Sequence, residues 1–242
     1  MTIPLEPADS QEPADRPWRT ADALVYVGSL EVPELSGDDA HHLRRVLRLR
    51  PGAEVCLGDG RGGVRAARLG EGSELVLTGP ALRLPAPSVT VTIGVAPPKG
   101  DRLDLLVAKA CELGVDRIVL FEAQRSVVRW DAGRAAGALE RLARVVRAAG
   151  AQSRRPRLPD LEVGDLSELI DRGAPLADLE GRAPAAEDRI LLVGPEGGWT
   201  EDERRAADAR GGRVRLAAGV LRTETAAIAA ATVLGLARLR GG

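Results

Sequence analysis

Apolar and polar positions follow two different rhythms along the chain. Over residues 24–84 the apolar residues fall in short runs broken by glycine turns, and 24–27, 54–57, 64–69 and 74–77 read as strands. One helix interrupts them. Ser36 and Asp39 have capping-box spacing, Leu43, Val46 and Leu47 form its apolar face, and Pro51-Gly52 ends it. Together these predict a small β-barrel carrying one helix. The stretch 80–88 (PALRLPAPS) reads as a linker. Beyond it, strands at 89–96, 117–121, 189–193 and 213–216, with a weaker one near 175–178, alternate with helices at 101–113, 133–151, 201–209 and 223–238. That alternation predicts an α/β domain, a mostly parallel sheet with helices on both faces. Residues 1–21 hold acids scattered among Pro and Ala without periodicity and read as a mobile extension. The expected divisions are therefore 1–21, a barrel at 22–84 and the α/β domain at 88–242.

Two loops follow strands of the α/β part and open helices, the place where open parallel sheets bind ligands. The first is Gly194-Pro195-Glu196-Gly197-Gly198, after the run ILLV and before a helix with Thr200 and Glu203 at capping-box spacing. Its glycines allow a ligand to approach the backbone closely. Glu196, Glu201, Asp202 and Glu203 would repel a phosphate, so a neutral or cationic cofactor suits it better. The second loop, 216–226, carries Arg222 and Glu224 beside a helix (226–237) that is apolar almost all round. Either a partner subunit or the chain's own core covers that helix. The string 58–63 (GDGRGG) satisfies GxGxxG, but an alternating strand follows it rather than a helix, and it reads as a hairpin turn.

Charge adds a second layer. Lys+Arg number 34 and Asp+Glu 35, a formal net charge of -1 that excludes a uniformly basic polyanion binder. Aromatic residues at 2% argue against a base-stacking single-strand binder. The charges are nevertheless segregated. Residues 41–68 hold seven arginines against two acids, and 141–157 hold six arginines and no acid, on a helix face opposite Leu139, Leu142, Val146 and Ala149. Unmixed basic faces of this kind favour contact with a nucleic-acid backbone. Lys99 and Lys109 are the sole lysines, with Lys109 spaced to pair with Glu112. His41 and His42 point to different sides of a helix and read as core or interface residues, and Cys56 and Cys111 as buried thiols. No metal cluster is expected from so few Cys and His, and no signal sequence or membrane-length apolar run is present, so the reading is cytoplasmic.

The motifs HHLRRVLRLRPG (41–52), KGDRLDLLVAKACELGVDRI (99–118), RSVVRW (125–130), AQSRR (151–155), VGPEGGWTEDE (193–203) and VLRTETA (220–226) occur in that order. Together they resemble the ribosomal RNA small subunit methyltransferase E family from about Tyr26 onward. The resemblance implies a PUA-like β-barrel followed by a SPOUT domain, an α/β sheet whose C-terminal segment forms a trefoil knot. It also implies a homodimer that transfers methyl from S-adenosyl-L-methionine to N3 of a uridine in 16S rRNA of the small ribosomal subunit. By the same resemblance Gly194, Pro195, Glu196, Gly197 and Gly198 form one cofactor loop and Leu216, Val220 and Leu221 the other, with Arg222, Thr223 and Glu224 adjoining. Gln152 and Arg155 match a motif on the substrate side, and Arg44, Arg45, Arg48, Arg125 and Arg154 complete the expected RNA contacts. The family usually has Glu where Ala148 and Ala151 stand, and often Gly and Arg in place of Ala217 and Gly219.

Uracil N3 is protonated at neutral pH, so its methylation needs a proton acceptor or a group that stabilises the developing anion. Arg222 is the candidate for the second task. Glu196 or Glu224 serves as base or orients that arginine. The alternative is a non-catalytic RNA-binding protein on the same fold, which would not bind the cofactor.

Overall fold

The structure is a computed structural model that describes residues 16–240. The expected extension therefore lies mostly outside the described residues, but its last part does not. Pro17–Thr20 forms a short helix, α1, and its Trp18 is only 7% exposed. The Arg154 guanidinium donates to the carbonyls of Trp18, Ala21 and Asp22 and satisfies the end of that helix. Residues 16–21 are thus folded, and a helix of four residues is too short to announce itself by periodicity.

The chain divides into two compact units, one reaching to Ala86 and including Gly150–Arg157, the other comprising Pro87–Ala149 and Leu158 onward. In the first, β1 (Ala23–Tyr26) pairs parallel with β2 (Glu54–Gly58), and β3 (Gly63–Leu69) and β4 (Leu75–Arg83) continue antiparallel, in the order β1-β2-β3-β4. Val25, Leu43, Val55, Leu57, Ala67 and Leu69 are its core. The GDGRGG string is the β2–β3 turn, closed by Asp59 Oδ1 accepting from the Arg61 and Gly63 N–H groups at 2.6 and 2.8 Å. The segment 150–157 is held to this unit by Tyr26 Oη donating to Arg155 O (2.5 Å) and Gly62 N to Pro156 O (3.0 Å).

Two expectations for this unit are corrected. Pro80 does not start a linker: β4 runs through it to Arg83, because β4 is an edge strand and 78–80 lie opposite the register shift between Arg65 and Ala67. Proline is tolerated at such a position. The helix is capped as expected, Ser36 Oγ accepting from Asp39 N, and runs as α2 (Gly37–His41), but it continues as a π-helical turn over His42–Val46. The wider turn breaks the 3.6-residue phase, so Leu43 is buried while Val46 and Leu47 are 59% and 44% exposed. His41 and His42 are exposed as well, not core.

The second unit contains β5 (Thr92–Val95), α3 (Arg102–Glu112), β6 (Arg117–Leu120), α4 (Ala132–Gln152, whose last three residues belong to the first unit), β7 (Asp160–Val163), α5 (Leu166–Asp171), β8 (Leu176–Arg182), β9 (Ile190–Val193), α6 (Glu201–Asp208), β10 (Arg213–Val214) and α7 (Thr223–Arg240). Its six strands lie in the order β10-β8-β9-β5-β6-β7 with every pairing parallel. Side chains alternate between the faces. Ile93, Val95, Ile118, Leu120, Leu191 and Val193 pack into one cluster with Leu106, Leu142 and Leu234 of the helices. Val119, Phe121 and Leu192 join the other with Leu166, Leu169, Trp199 and Ala207. Between them Gly94 has no room for a side chain, since a Cβ there would sit 2.4 Å from Leu192 Cδ2.

β7 and α5 escaped the sequence reading. β7 is a four-residue edge strand with no fully buried position, so it shows no alternation, although the Asp165 cap on the Ser167 and Glu168 N–H groups marks the start of α5. Cys56 and Cys111 are free and buried, and burial pushes the Cys56 thiol up to about 12. Asp188, 7% exposed, takes a bidentate pair from Arg182 at 2.8 and 2.6 Å and the Ala185 N–H at 2.7 Å. Burial alone would raise its pKa, but the Arg182 hydrogen bonds and the Ala185 N–H outweigh it and the pKa is lowered.

Trp18→Ala should destabilise the first unit by about 3 kcal/mol, the cost of a large buried aromatic. Denaturant unfolding measures it, and an unchanged midpoint would mean that α1 contributes nothing to the fold. A carboxylate with a lowered folded-state pKa stabilises above the ordinary carboxylate range, and that stability is lost as pH falls through the range. Thermal melts should therefore show Asp188→Asn less stable than the parent at neutral pH, with the difference shrinking in acid.

Candidate active site

The carboxyl ends of β9 and β10 feed the two loops singled out in the sequence, and both wall a single cavity of about 430 Å³. The first loop is fixed by an aromatic side chain. Trp199, 3% exposed, stacks on Phe121 at 6.1 Å between ring centroids and donates from Nε1 to Ala177 O at 2.9 Å. Its ring lies so close to Gly194 that a Cβ there would be 2.8 Å from Trp199 Cε2. Gly198 turns the loop at φ +68, a left-handed conformation that favours glycine. The α6 capping box then holds the exit, with Thr200 Oγ1 accepting from Glu203 N and Glu203 Oε2 from Thr200 N. Glu203 Oε1 also accepts from Gln124 N at 2.8 Å. The buried Thr223 joins the loops by donating from Oγ1 to Gly194 O at 3.2 Å.

Of the residues expected at the cofactor, Gly194, Pro195, Glu196, Gly198, Leu216, Val220, Leu221 and Thr223 line the cavity, as does Arg222. Gly197 does not line it. It faces Arg125, whose Cβ would be 3.1 Å from a Cβ on that glycine. Arg125 itself, expected at RNA, donates from Nη1 to Gly197 O and Trp199 O, both at 3.2 Å, and so supports the loop from behind. Ala177, Asp178 and Leu179 from β8 and Arg204 from α6 also line it. The sequence reading missed them because no glycine or charge motif marks that strand. Asp178 is held by Arg204 Nε at 2.9 Å and by the Glu180 N–H. Burial works to raise its pKa, yet those hydrogen bonds and the nearby Arg213 leave it lowered.

Three charges gather beside the first loop. Glu196 Oε1 lies 3.9 Å from Arg102 Nη1 and receives the Lys99 N–H at 3.4 Å. Glu224 Oε1 lies 3.8 Å from Arg102 Nε. Arg102 stands inside the KGDR string, but nothing in sequence spacing ties it to glutamates far downstream. Glu224 is absent from the cavity wall, and its Oε2 is buried without a hydrogen-bond partner. Arg222 is exposed and forms no ion pair among the described residues.

The arginines expected at RNA divide. Arg45, Arg48 and the neighbouring candidate Gln152 are exposed. Arg44 instead ties the β3–β4 turn, donating to Gly70 O and Gly72 O, and Arg154 holds α1. Arg155 receives the Tyr26 hydroxyl on its carbonyl. On α4, Arg141 pairs with Asp104 and Arg134 with Asp131, so the face is less unmixed than its sequence. Leu142, Val146 and Ala149 are buried opposite, as the pattern predicts. Among the described residues no group of three or more metal-ligating side chains converges, and no helix is long and apolar enough to cross a membrane.

Comparison with known proteins agrees with this architecture. Residues 85–235 match the model of an RNA methyltransferase domain, and residues 35–78 that of an RNA methyltransferase PUA domain. The ribosomal RNA small subunit methyltransferase E of Mycobacterium bovis is 34% identical, over 88% of this chain and 91% of its own. The crystal structure of the Neisseria gonorrhoeae protein of the same description, bound to S-adenosyl methionine, superposes with TM-score 0.73 at 28% identity, covering 86% of this chain and 94% of that one. A putative methyltransferase from Legionella pneumophila, in complex with the same cofactor, gives TM-score 0.74 at 26% identity over 88% and 97% of the two chains. With a methyltransferase model spanning most of its length and a relative matched nearly end to end, the chain belongs to the ribosomal RNA small subunit methyltransferase E family.

Proposed function

We propose that the chain transfers a methyl group from S-adenosylmethionine to N3 of one uridine in the 16S rRNA of the small ribosomal subunit. The observation that carries this reading is the joining of both glycine-bearing loops, through Thr223 and Gly194, around one cavity at the carboxyl ends of a parallel sheet. The cavity suits that cofactor. Its volume of about 430 Å³ accommodates an adenosine with an amino-acid tail, and its walls combine Val193, Leu216 and Leu221 with loop backbone groups. The Trp199 ring occupies the place where a Gly194 Cβ would stand, and the lining acids Asp178 and Glu196 are balanced by Arg204 and Arg222, so no basic surplus marks a phosphate site. Gly194, Pro195, Gly198, Leu216, Val220, Leu221 and Thr223 would hold the cofactor, with Gly197 and Arg125 supporting the loop from outside. When bound, S-adenosylmethionine supplies a methyl group on a cationic sulfur, ready for a nucleophile.

The protein's part is to position the uracil ring, remove its N3 proton and stabilise the charge that develops. Arg222 at the cavity wall offers a cation for the charge, and Glu196 or Glu224 a carboxylate for the proton. In the first unit Arg45 and Arg48 present free guanidinium groups to the RNA backbone. The same reading includes closure of the first unit as a PUA-like barrel and a trefoil knot in the C-terminal segment. It also includes action as a cytoplasmic homodimer, with the exposed Leu236 and Leu239 of α7 (49% and 73%) covered by a second copy.

Purified protein, radiolabelled S-adenosylmethionine and small subunits lacking the modification should yield label in a single uridine, at N3 by nucleoside analysis. Donor binding without label would overturn the reading and favour a non-catalytic RNA-binding protein. Arg45→Glu with Arg48→Glu should weaken subunit binding and lower the slope of log affinity against log salt by about one for each phosphate left without its arginine. An unaltered slope would make that face merely solvated.

A further inference from the structure

Methylation of a ring imide places negative charge on the flanking carbonyl oxygens as the N3 proton leaves. A cation already fixed in place stabilises such charge better than one that must first be ordered. Arg222 lines the cavity but is exposed, with no ion pair among the described residues to fix it. Arg102 has two carboxylates at ion-pair distance. It stands at the start of α3, next to the cavity lining rather than in it, with Nε 3.8 Å from Glu224 Oε1 and Nη1 3.9 Å from Glu196 Oε1. Its Nη2 has no partner among the described residues, and the side chain is 44% exposed. The two carboxylates come from the two cavity loops and differ in setting. Glu224 is 13% exposed, with Oε2 shut off from solvent, and does not reach the cavity wall. Glu196 is 33% exposed and lines the cavity.

We propose that Arg102 is a second catalytic cation of the methyl transfer, anchored by Glu224 and donating to the uracil carbonyl oxygen beside N3, while Glu196 accepts the N3 proton. The assignment rests on the uridine methyltransferase reading. In the step, the N3 proton passes to the Glu196 carboxylate. The electron pair left on nitrogen forms the bond to the methyl carbon, and the methyl–sulfur bond breaks with its pair remaining on sulfur as a neutral thioether. Glu196 then returns the proton to water. Glu224 is a positioning residue, acting through Arg102. A planar guanidinium can face two carboxylates and still present a further N–H, which an ammonium on a flexible stem does less well.

The experiment compares the parent with Arg102→Gln, Arg102→Lys and Glu224→Gln. It measures S-adenosylmethionine affinity by calorimetry, and turnover on undermodified small subunits from neutral to alkaline pH. Cofactor affinity should stay within a few-fold. Turnover of Arg102→Gln at neutral pH should fall about a hundredfold, the usual effect of removing one donor to a developing oxyanion. The deficit should shrink as pH rises, because the imide then ionises without the cation's help. Glu224→Gln should share that pH signature, and Arg102→Lys should recover part of the rate. Full neutral-pH turnover in Arg102→Gln would overturn the assignment. So would a loss of cofactor affinity in parallel with turnover, or a deficit independent of pH, since either would make Arg102 a structural support. A parent protein that binds the cofactor yet methylates no uridine would overturn the functional reading, and the assignment with it.

Discussion

The close approach of Trp199 to Gly194 is the constraint on which the site depends. The indole is committed on three sides: by the ring of Phe121, by the Ala177 carbonyl that takes its N–H, and by the loop it crosses. Because Gly194 carries no side chain, its backbone can lie against the ring and still offer its carbonyl to Thr223. That bond carries the constraint into the second loop and the first turn of α7, where Glu224 begins. Phe121 directly follows β6 and Ala177 lies in β8, so the indole ties the loop to two strands of the sheet. A loop of three glycines would be loose alone; here one buried aromatic removes most of that freedom.

How much of the fold and the site is legible in the sequence follows from how local the physics is. The parallel sheet, the capped helices and the two strand-end loops rest on apolar runs and glycine chemistry within a few residues, and these are readable. Trp18 is not, because what folds it is an arginine more than a hundred residues away whose guanidinium takes up the carbonyls of α1. The helix at Ser36 stands where its cap places it, yet its apolar face departs from the pattern beyond Leu43, since a π-helical turn shifts the phase without any mark in composition. At the site, Gly194 and Thr223 stand out by type and place. Asp178 and Arg102 do not, since an isolated Asp on a strand and an Arg in a helix's first turn are common, and only the fold brings Asp178 to the cavity wall and Arg102 beside Glu196.

The arginine bias takes on a different meaning in the structure. A basic stretch in sequence suggests a surface for polyanions, but several of these side chains act inside the protein as multiple donors. Arg44 binds two carbonyls of a turn, Arg65 takes Leu30 O and Gly79 O at 2.9 Å each, and Arg238 bridges Asp116 and Gly114 O. A guanidinium satisfies several acceptors at once at fixed angles, which a lysine cannot do. Arginines of this kind hold turns and helix ends, and Arg45 and Arg48 are among those left exposed without such acceptors.

Charges are likewise paired around the cavity. Glu196 and Glu224 face the guanidinium of Arg102, and Arg222 adds a further cation from the cavity wall. Asp178, also in the wall, is matched by Arg204 and Arg213. Acids and arginines there come close to balance, so no strong positive surplus marks the cavity as a phosphate site. A cavity without such a surplus selects its ligand by shape and by the backbone groups of its two loops rather than by charge.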